Sequence, residues 1–236
     1  MRWFVLTVAM VLAGCVGPME VPQAPRPAAN APLVSAPVGQ APATARNFAQ
    51  VVERIKPVAE QECRRQRPGV NCDFLIVIDD RPGQAPNAFQ TLDRSGRPII
   101  GFTVALLNEL SNADELAFVM AHEAAHHIAA HIPRQQQNAA AGAVVFAGLA
   151  SLTGADVGAI RTAQDLGATV GARTYSKEFE LEADAIGTVL AARAGFDPVR
   201  GALFFNRIPD PGNRFLGTHP PNAERLAVVR RVAAGL

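Results

Sequence analysis

Residues 121–127 read Ala-His-Glu-Ala-Ala-His-His and contain the pattern H-E-x-x-H at His122, Glu123 and His126. Because a helix advances by about 100° per residue, side chains four positions apart lie one above the other on the same face. His122 and His126 can therefore bind one metal ion, and two imidazoles with a third ligand and an open position favour zinc. Glu123 lies at the flank of that face, where its carboxylate can act as the general base for a water that attacks a peptide carbonyl.

The residues around this pattern predict a partly buried helix. Asn112 followed by Glu115 is a helix-start signal, and Pro133 predicts the end of the same helix. Between them, Leu116 and Met120 belong to an apolar stripe that indicates packing against a core. The alternative is a solvated helix on which ordinary polar residues match the pattern by chance.

A third zinc ligand is expected from an acidic segment near residue 180, because two histidines cannot complete a catalytic site. The candidates are Glu178, Glu180, Glu182, Asp184 and His219. Glu180 and Asp184 share one helix face, so Glu180 is the predicted ligand and Asp184 is predicted to accept the free N–H of a zinc-bound histidine. A solvated charged helix face is the alternative explanation of this segment.

The spacing of the two motifs resembles that of the CAAX-prenyl-protease/HtpX family of gluzincin metallopeptidases. An E-x-x-x-D sequence that starts at Glu180 follows His126 after 180 − 126 = 54 residues. The similarity covers about residues 87–226 and includes Thr218-His219-Pro220, whereas Lys177 stands where arginine is usual. The resemblance implies an α+β fold that is mostly helical, with a small edge-exposed β-sheet packed on the H-E-x-x-H helix and one zinc ion per subunit.

The same resemblance implies roles for two residues near the C-terminal end of the sequence. The histidine that matches His219 can approach the zinc, either as a fourth ligand that closes the resting site or as a donor to the oxyanion. The arginine that matches Arg225 helps to hold the developing negative charge. A structural role for His219 is a third possibility. His127 and His131 form another pair four residues apart, rotated off the metal face, and are predicted to be surface or packing residues.

The first residues predict export and lipid anchoring. The apolar run Trp3–Val11 is typical of a signal peptide and too short to span a bilayer. Leu12-Ala13-Gly14-Cys15 resembles the bacterial lipoprotein signal, which is cut before a cysteine that is then acylated. Val16 after that cysteine favours the outer membrane by the same resemblance. The alternative is an ordinary secretory signal in which Cys15 is incidental.

We predict three segments: a signal peptide at 1–14, a tether at 15–46 and a metallopeptidase domain at 47–236. The tether is rich in proline and alanine, lacks a helical or strand period and cannot form a core. Within the domain, Cys63 and Cys72 are a single pair in an exported chain and predict a disulfide. Two free thiols are the alternative.

Periodicity predicts the remaining elements in outline. Helices are predicted at 47–62 and 162–193, and strands at 74–78, from 87 onward and at 98–103. Pro98 removes a hydrogen-bond donor, which favours an edge position for its strand. The stretch 139–160 is at the short limit for a membrane span and is predicted to form a buried or membrane-surface helical hairpin.

These features predict a zinc-dependent endopeptidase that is tethered to the periplasmic face of the outer membrane. The family resemblance implies that its substrates are unfolded or misassembled envelope proteins. The strand at 98–103 is predicted to bind substrate backbone by strand addition. The charge balance of 22 Lys+Arg against 21 Asp+Glu gives no indication of nucleic-acid binding. The rival hypothesis is a non-proteolytic envelope chaperone or assembly factor with structural zinc, but such a site has no use for Glu123. The oligomeric state is not predicted.

Overall fold

The computed structural model describes residues 43–214 and 216–236, which form a mostly helical fold with one small sheet. The helices are α1 Ala43–Gln66, α2 Val104–Glu109, α3 Ala113–Ile128, α4 His131–Leu152, α5 Val157–Thr174, α6 Ser176–Arg193, α7 Pro198–Ala202 and α8 Asn222–Ala233. The predicted α+β class is confirmed. The predicted signal peptide, Cys15 and the tether up to residue 42 lie outside the described residues, and α1 begins inside the segment assigned to the tether.

The sheet contains β1 (Leu75–Asp79), β2 (Ala88–Leu92) and β3 (Pro98–Thr103) in the order β1-β3-β2. β3 pairs in parallel with β1 and antiparallel with β2, so it is the central strand. The prediction that β3 lies at an edge, free for strand addition, is therefore wrong. Pro98 is the first residue of the strand, where a missing N–H interrupts the hydrogen-bond ladder least.

β2 is the edge strand beside α3. Its Phe89 is opposite Gly101 of β3, and a Cβ at Gly101 would lie only 2.2 Å from the Phe89 ring. Glycine is therefore needed at position 101 so that the aromatic ring can cover the central strand. This packing fixes β2 against the sheet close to the helix that carries His122 and Glu123.

Helix α3 is the buried centre of the domain. The predicted start is confirmed, because the Glu115 backbone N–H donates to Asn112 Oδ1 at 3.1 Å. The predicted end at Pro133 is wrong: α3 ends at Ile128, and Ala130 adopts a left-handed backbone with φ of 59°. Pro133 lies in the first turn of α4, where a proline costs no helical hydrogen bond.

The long helix predicted at 162–193 is two helices. α5 ends at Thr174, Tyr175 leaves the helical conformation with ψ of 14°, and α6 begins at Ser176. No proline or glycine marks this break, so periodicity alone could not locate it. The predicted end at Gly195 is confirmed by a φ of 78°, which glycine adopts without strain.

Helices α4 and α5 form the predicted hairpin, but it is not buried. A Cβ at Gly142 or Gly167 would meet backbone of the opposite helix at 2.1–2.2 Å, so glycines allow the two helices to touch. The exposed aliphatic side chains on this hairpin are Val144, Val145, Leu149, Leu152, Val157 and Leu166. Among the described residues, no helix has the length and apolarity required to cross a membrane.

A close approach between α6 and α3, and a disulfide between α1 and the segment before β1, connect the elements of the domain. Gly187 of α6 faces His122, and a Cβ at this position would lie 3.0 Å from the His122 backbone nitrogen. This close approach lets the acidic residues of α6 reach the histidines of α3. Cys63 in α1 and Cys72 before β1 are joined by a disulfide, with their Cα atoms 5.8 Å apart.

Candidate active site

His122, His126 and Glu180 meet where α3 and α6 cross. The two Nε2 atoms are 3.1 Å apart, and each is 3.4–3.5 Å from an oxygen of Glu180. One ligand atom from each of the three residues lies within 4.8 Å of the others. Two imidazoles and a carboxylate at this spacing suit a tetrahedral zinc site with one open position.

Asp184 contacts the ring of His122 on the side away from the other candidate ligands. Its Oδ1 is 2.9 Å from His122 Nδ1, so the opposite ring nitrogen faces His126 and Glu180. Burial lowers the pKa of His122, but hydrogen bonds with Asp184 and Glu180 outweigh burial and raise that pKa to about 10. A metal ion that binds here must therefore displace a proton from His122.

Arg225 of α8 is buried and supports the carboxylates. Its Nε and Nη2 each donate to Asp184 at 2.7 Å, and Nη2 lies 3.5 Å from Glu180 Oε2. Its guanidinium also stacks over Phe205 at 4.0 Å. The Nε and Nη2 atoms of Arg225 are thus occupied by Asp184 and Glu180, which suits a residue that positions these two carboxylates.

Glu123 borders a cavity of about 220 Å³ together with His126 and Glu180. Gln90 on the edge strand β2 lines the same cavity. The cavity therefore joins a carboxylate base, the candidate metal ligands and a strand edge at which an extended peptide can pair.

His219 reaches this cavity from the loop before α8. Its Nδ1 is 3.1 Å from Glu180 Oε2, and its side chain is 54% exposed. His219 thus contacts Glu180, the residue predicted to be the third zinc ligand. On the other side of the loop, Lys177 bonds to Asn213 Oδ1 and to the Arg214 carbonyl, both at 2.6 Å. Lys177, which stands where arginine is usual, thus bonds to the loop that carries His219.

Glu178 and Glu182 are not among the three grouped ligands, in agreement with their assignment to other helix faces. His127 and His131 are both buried, so they are packing residues and not surface residues. His131 contacts His126 directly, at 2.8 Å between the two Nδ1 atoms. Helix periodicity could not reveal this contact. In a helix that continues to Pro133, His126 and His131 would lie on different faces, whereas the chain turns at Ala130.

Comparison with known proteins agrees with this geometry. Residues 45–233 match the sequence model of peptidase family M48. A β-barrel assembly-enhancing protease of Escherichia coli O157:H7 is 34% identical over an alignment of 151 positions that covers 55% of this chain and 29% of that protein. The mitochondrial metalloendopeptidase OMA1 of Saccharomyces cerevisiae is 30% identical over 175 residues, 67% of this chain and 46% of that protein.

A protease HtpX homologue of Desulfatibacillum aliphaticivorans is 30% identical over 193 residues, 62% of this chain and 59% of that protein. The chain thus spans between about a third and three fifths of the lengths of these relatives. The family match covers α1 to α8, including the cavity and its histidines. This chain belongs to peptidase family M48.

Proposed function

We propose that this protein is a zinc-dependent endopeptidase that acts on unfolded or misassembled envelope proteins. The observation that carries the proposal is the grouping of His122, His126 and Glu180 within 4.8 Å, beside a cavity that Glu123 also lines. These three residues would hold one zinc ion per subunit. Zinc bound there would supply Lewis acidity, which activates water and polarises a peptide carbonyl at neutral pH.

The chain's own residues supply the other parts of the reaction. Glu123 accepts a proton from the attacking water and then delivers it to the leaving amine. Asp184 and Arg225 keep His122 in one orientation, so the site is preorganised before substrate enters. The free edge of β2 provides backbone donors and acceptors for an extended peptide, with Gln90 facing the cavity.

Recognition through backbone pairing favours unfolded substrates, because a folded protein does not offer an extended segment. The relative from Escherichia coli is named a β-barrel assembly-enhancing protease, which supports a role in the bacterial envelope. With Cys15 as lipidation site and residues 15–46 as tether, the domain would work at the periplasmic face of the outer membrane.

Glu123→Gln tests the enzymatic proposal, since it removes the base and retains the shape of the side chain. The mature full-length chain should hydrolyse an unfolded protein and lose this activity on zinc chelation. Glu123→Gln should bind zinc as the parent does and cleave at least about 10²-fold more slowly, the lower range for general-base catalysis. The measurements are zinc content and the rate of peptide-bond hydrolysis.

Two outcomes would contradict the proposal. Cleavage by Glu123→Gln at the parental rate would exclude Glu123 as the base. A parent chain that binds zinc and prevents aggregation of an unfolded protein, without cleaving it, would favour the non-proteolytic chaperone. Glu109→Gln is the matched control, because Glu109 is an exposed glutamate of α2 and should be dispensable.

A further inference from the structure

His131 is a buried histidine whose ring contacts a candidate zinc ligand from behind. Its Nδ1 lies 2.8 Å from Nδ1 of His126, the nitrogen of His126 that points away from Glu180 and His122. Only 4% of the His131 surface is exposed to solvent. The contact is therefore a direct ring-to-ring hydrogen bond of an almost fully buried histidine, at the wall of the cavity that both rings line.

Two neighbours, Glu182 and Phe179, contact the His131 ring, and Arg134 bonds to the first of them. Its Nε2 is 3.1 Å from Glu182 Oε2, and the same oxygen accepts from Arg134 Nη1 at 2.7 Å. The Phe179 ring stacks on His131 with centroids 4.6 Å apart and an angle of 11°. Glu182 and Phe179 belong to α6, so the helix that supplies Glu180 also fixes the group behind His126.

The backbone at Ala130 makes this placement possible. A continuous α-helix would carry position 131 away from the face of His126, since five residues correspond to about 500°, or 140° around the axis. The left-handed conformation of Ala130, with φ of 59°, turns the chain between α3 and α4. Residues other than glycine adopt this conformation only at an energetic cost. The turn is therefore retained against a local preference.

The donor and acceptor roles in this chain of contacts follow from chemistry. The Glu182 carboxylate faces Arg134 and accepts hydrogen bonds, so His131 Nε2 carries a proton and donates it. In a neutral imidazole the other nitrogen then bears a lone pair, and His131 Nδ1 accepts from the His126 Nδ1–H. That tautomer leaves the lone pair of His126 on Nε2, which is the atom beside Glu180.

We propose that His131 is a positioning residue for zinc binding, which holds His126 in the tautomer and ring orientation that a metal ion requires. The proposal rests on the proposed zinc site and extends it. His122 and His126 would then be oriented by different acceptors: a carboxylate of Asp184 for the first and a neutral imidazole, backed by Glu182, for the second. Both acceptor groups depend on α6: Asp184 contacts His122 directly, whereas Glu182 acts on His126 through His131.

The test compares zinc affinity in the mature full-length chain, measured by competition with a chromophoric chelator. His131→Ala should weaken zinc binding about 10–100-fold, the usual effect of losing the partner of a metal-bound histidine. His131→Asn should recover most of the affinity, because its amide oxygen can accept from the His126 Nδ1–H. Circular dichroism and thermal unfolding of the zinc-free proteins check that each variant is folded.

His127→Gln is the matched control for loss of a buried histidine on the same segment. His127 Nε2 is 2.9 Å from the Asn71 carbonyl and does not contact the ligand group, so zinc affinity should equal that of the parent. Equal losses in His131→Ala and His131→Asn, or parental affinity in folded His131→Ala, would overturn the proposal.

Nuclear magnetic resonance gives a second readout that a purely structural role would not change. In the zinc-loaded parent, the His126 Nδ1–H should give a downfield ring resonance that exchanges slowly with water, and His131→Ala should abolish it. Rapid exchange of that proton in the parent would refute the hydrogen bond even if His131→Ala fails to fold. If the parent binds zinc and cleaves substrate, and His131→Ala binds zinc equally well, only this inference is refuted. If the parent does not bind zinc, the proposed function is refuted as well.

Discussion

At the scale of single residues, Glu180 is shared between the candidate ligands and the loop. Its Oε1 faces His126, while its Oε2 lies within 3.1–3.5 Å of His122, His219 and Arg225. Burial raises the pKa of Glu180, but its contacts with His122, His126 and His219 outweigh burial and hold the pKa well below its usual range. The carboxylate is thus ionised, and His219 is the exposed one of its partners.

We predict that His219→Ala increases proteolysis of an unfolded protein. In the structure His219 contacts an oxygen of Glu180, and we expect this contact to keep the resting site closed. Removing a hydrogen bond worth about 1.4 kcal/mol should raise the rate by up to about tenfold. Thr218→Ala, a change at the preceding loop residue, is the control for loop perturbation.

The opposite sign would assign His219 differently. If this residue donates to the oxyanion, its loss should lower kcat by roughly 10²–10³. An unchanged rate with unchanged zinc coordination would leave His219 as a structural residue. The steady-state rate of peptide-bond hydrolysis distinguishes the three results.

At the scale of elements, α6 connects to almost every part of the site. Its N-terminal turn bonds to the loop of His219 through Lys177, its middle carries Glu180 and Asp184, and its last turn reaches α1. There Arg193 Nη1 is 3.0 Å from Glu62 Oε2, and Arg65 and Gln66 of α1 bond to the same carboxylate. This ionic cluster fixes α6 against α1 at the end away from the cavity.

We predict that Glu62→Gln reduces the pH dependence of stability at acid pH. The hydrogen bond from Arg65, more than any other contact, lowers the pKa of Glu62 to about 2 from its usual 4.5. A depressed pKa in the folded state means that this contribution is fully present above pH 4.5 and is lost as pH falls toward 2. Because Arg65 and Arg193 are largely solvent-exposed, the contribution is on the order of 1 kcal/mol.

Urea unfolding at pH values from 6 to 2 measures this effect. The free energy of unfolding should fall less steeply for Glu62→Gln than for the parent between pH 4.5 and 2. Glu53→Gln, at an exposed position of the same helix, should follow the parental curve. Identical slopes for the parent and Glu62→Gln would show that the cluster does not couple α1 to α6.

At the scale of the whole molecule, we propose two separate means of membrane contact: the exposed aliphatic side chains of the α4–α5 hairpin and a lipid anchor at Cys15. Val144, Leu149 and Leu152 are 58–86% exposed, and none of the described helices is suited to cross a bilayer. Exposed apolar patches of this kind are unusual on a monomeric protein in water. Firm anchoring by several acyl chains at Cys15 would hold the protein at the membrane without the hairpin.

We therefore predict that Cys15→Ala releases the protein from the membrane fraction into the periplasmic soluble fraction. The physical reason is the loss of the acyl chains, whose buried methylene groups each contribute about 0.8 kcal/mol. Fractionation of cells followed by immunoblotting measures the distribution. Cys63→Ala with Cys72→Ala is the control, since the disulfide should not affect anchoring. Retention of Cys15→Ala in the membrane fraction would instead assign membrane contact to the hairpin.

The sequence by itself determined those features that depend on residues close together in the chain. The four-residue spacing of His122 and His126, the cap at Asn112 and the end of α6 at Gly195 follow from helix periodicity and local hydrogen bonding. The same spacing rule placed Glu180 and Asp184 on one face. The need for a third zinc ligand predicted that Glu180 lies near the two histidines. The structure places Glu180 beside both of them and Asp184 beside His122.

Only the tertiary structure decided which distant groups meet. β3 is central because both neighbouring strands bond to it, and strand order cannot be deduced from a proline at a strand end. His131 reaches His126 because one alanine adopts a strained conformation, which neighbouring packing stabilises and local preference opposes. Lys177 holds the His219 loop across a gap of more than 30 residues. Such contacts depend on the three-dimensional path of the chain, whose energy is set by packing of the whole domain.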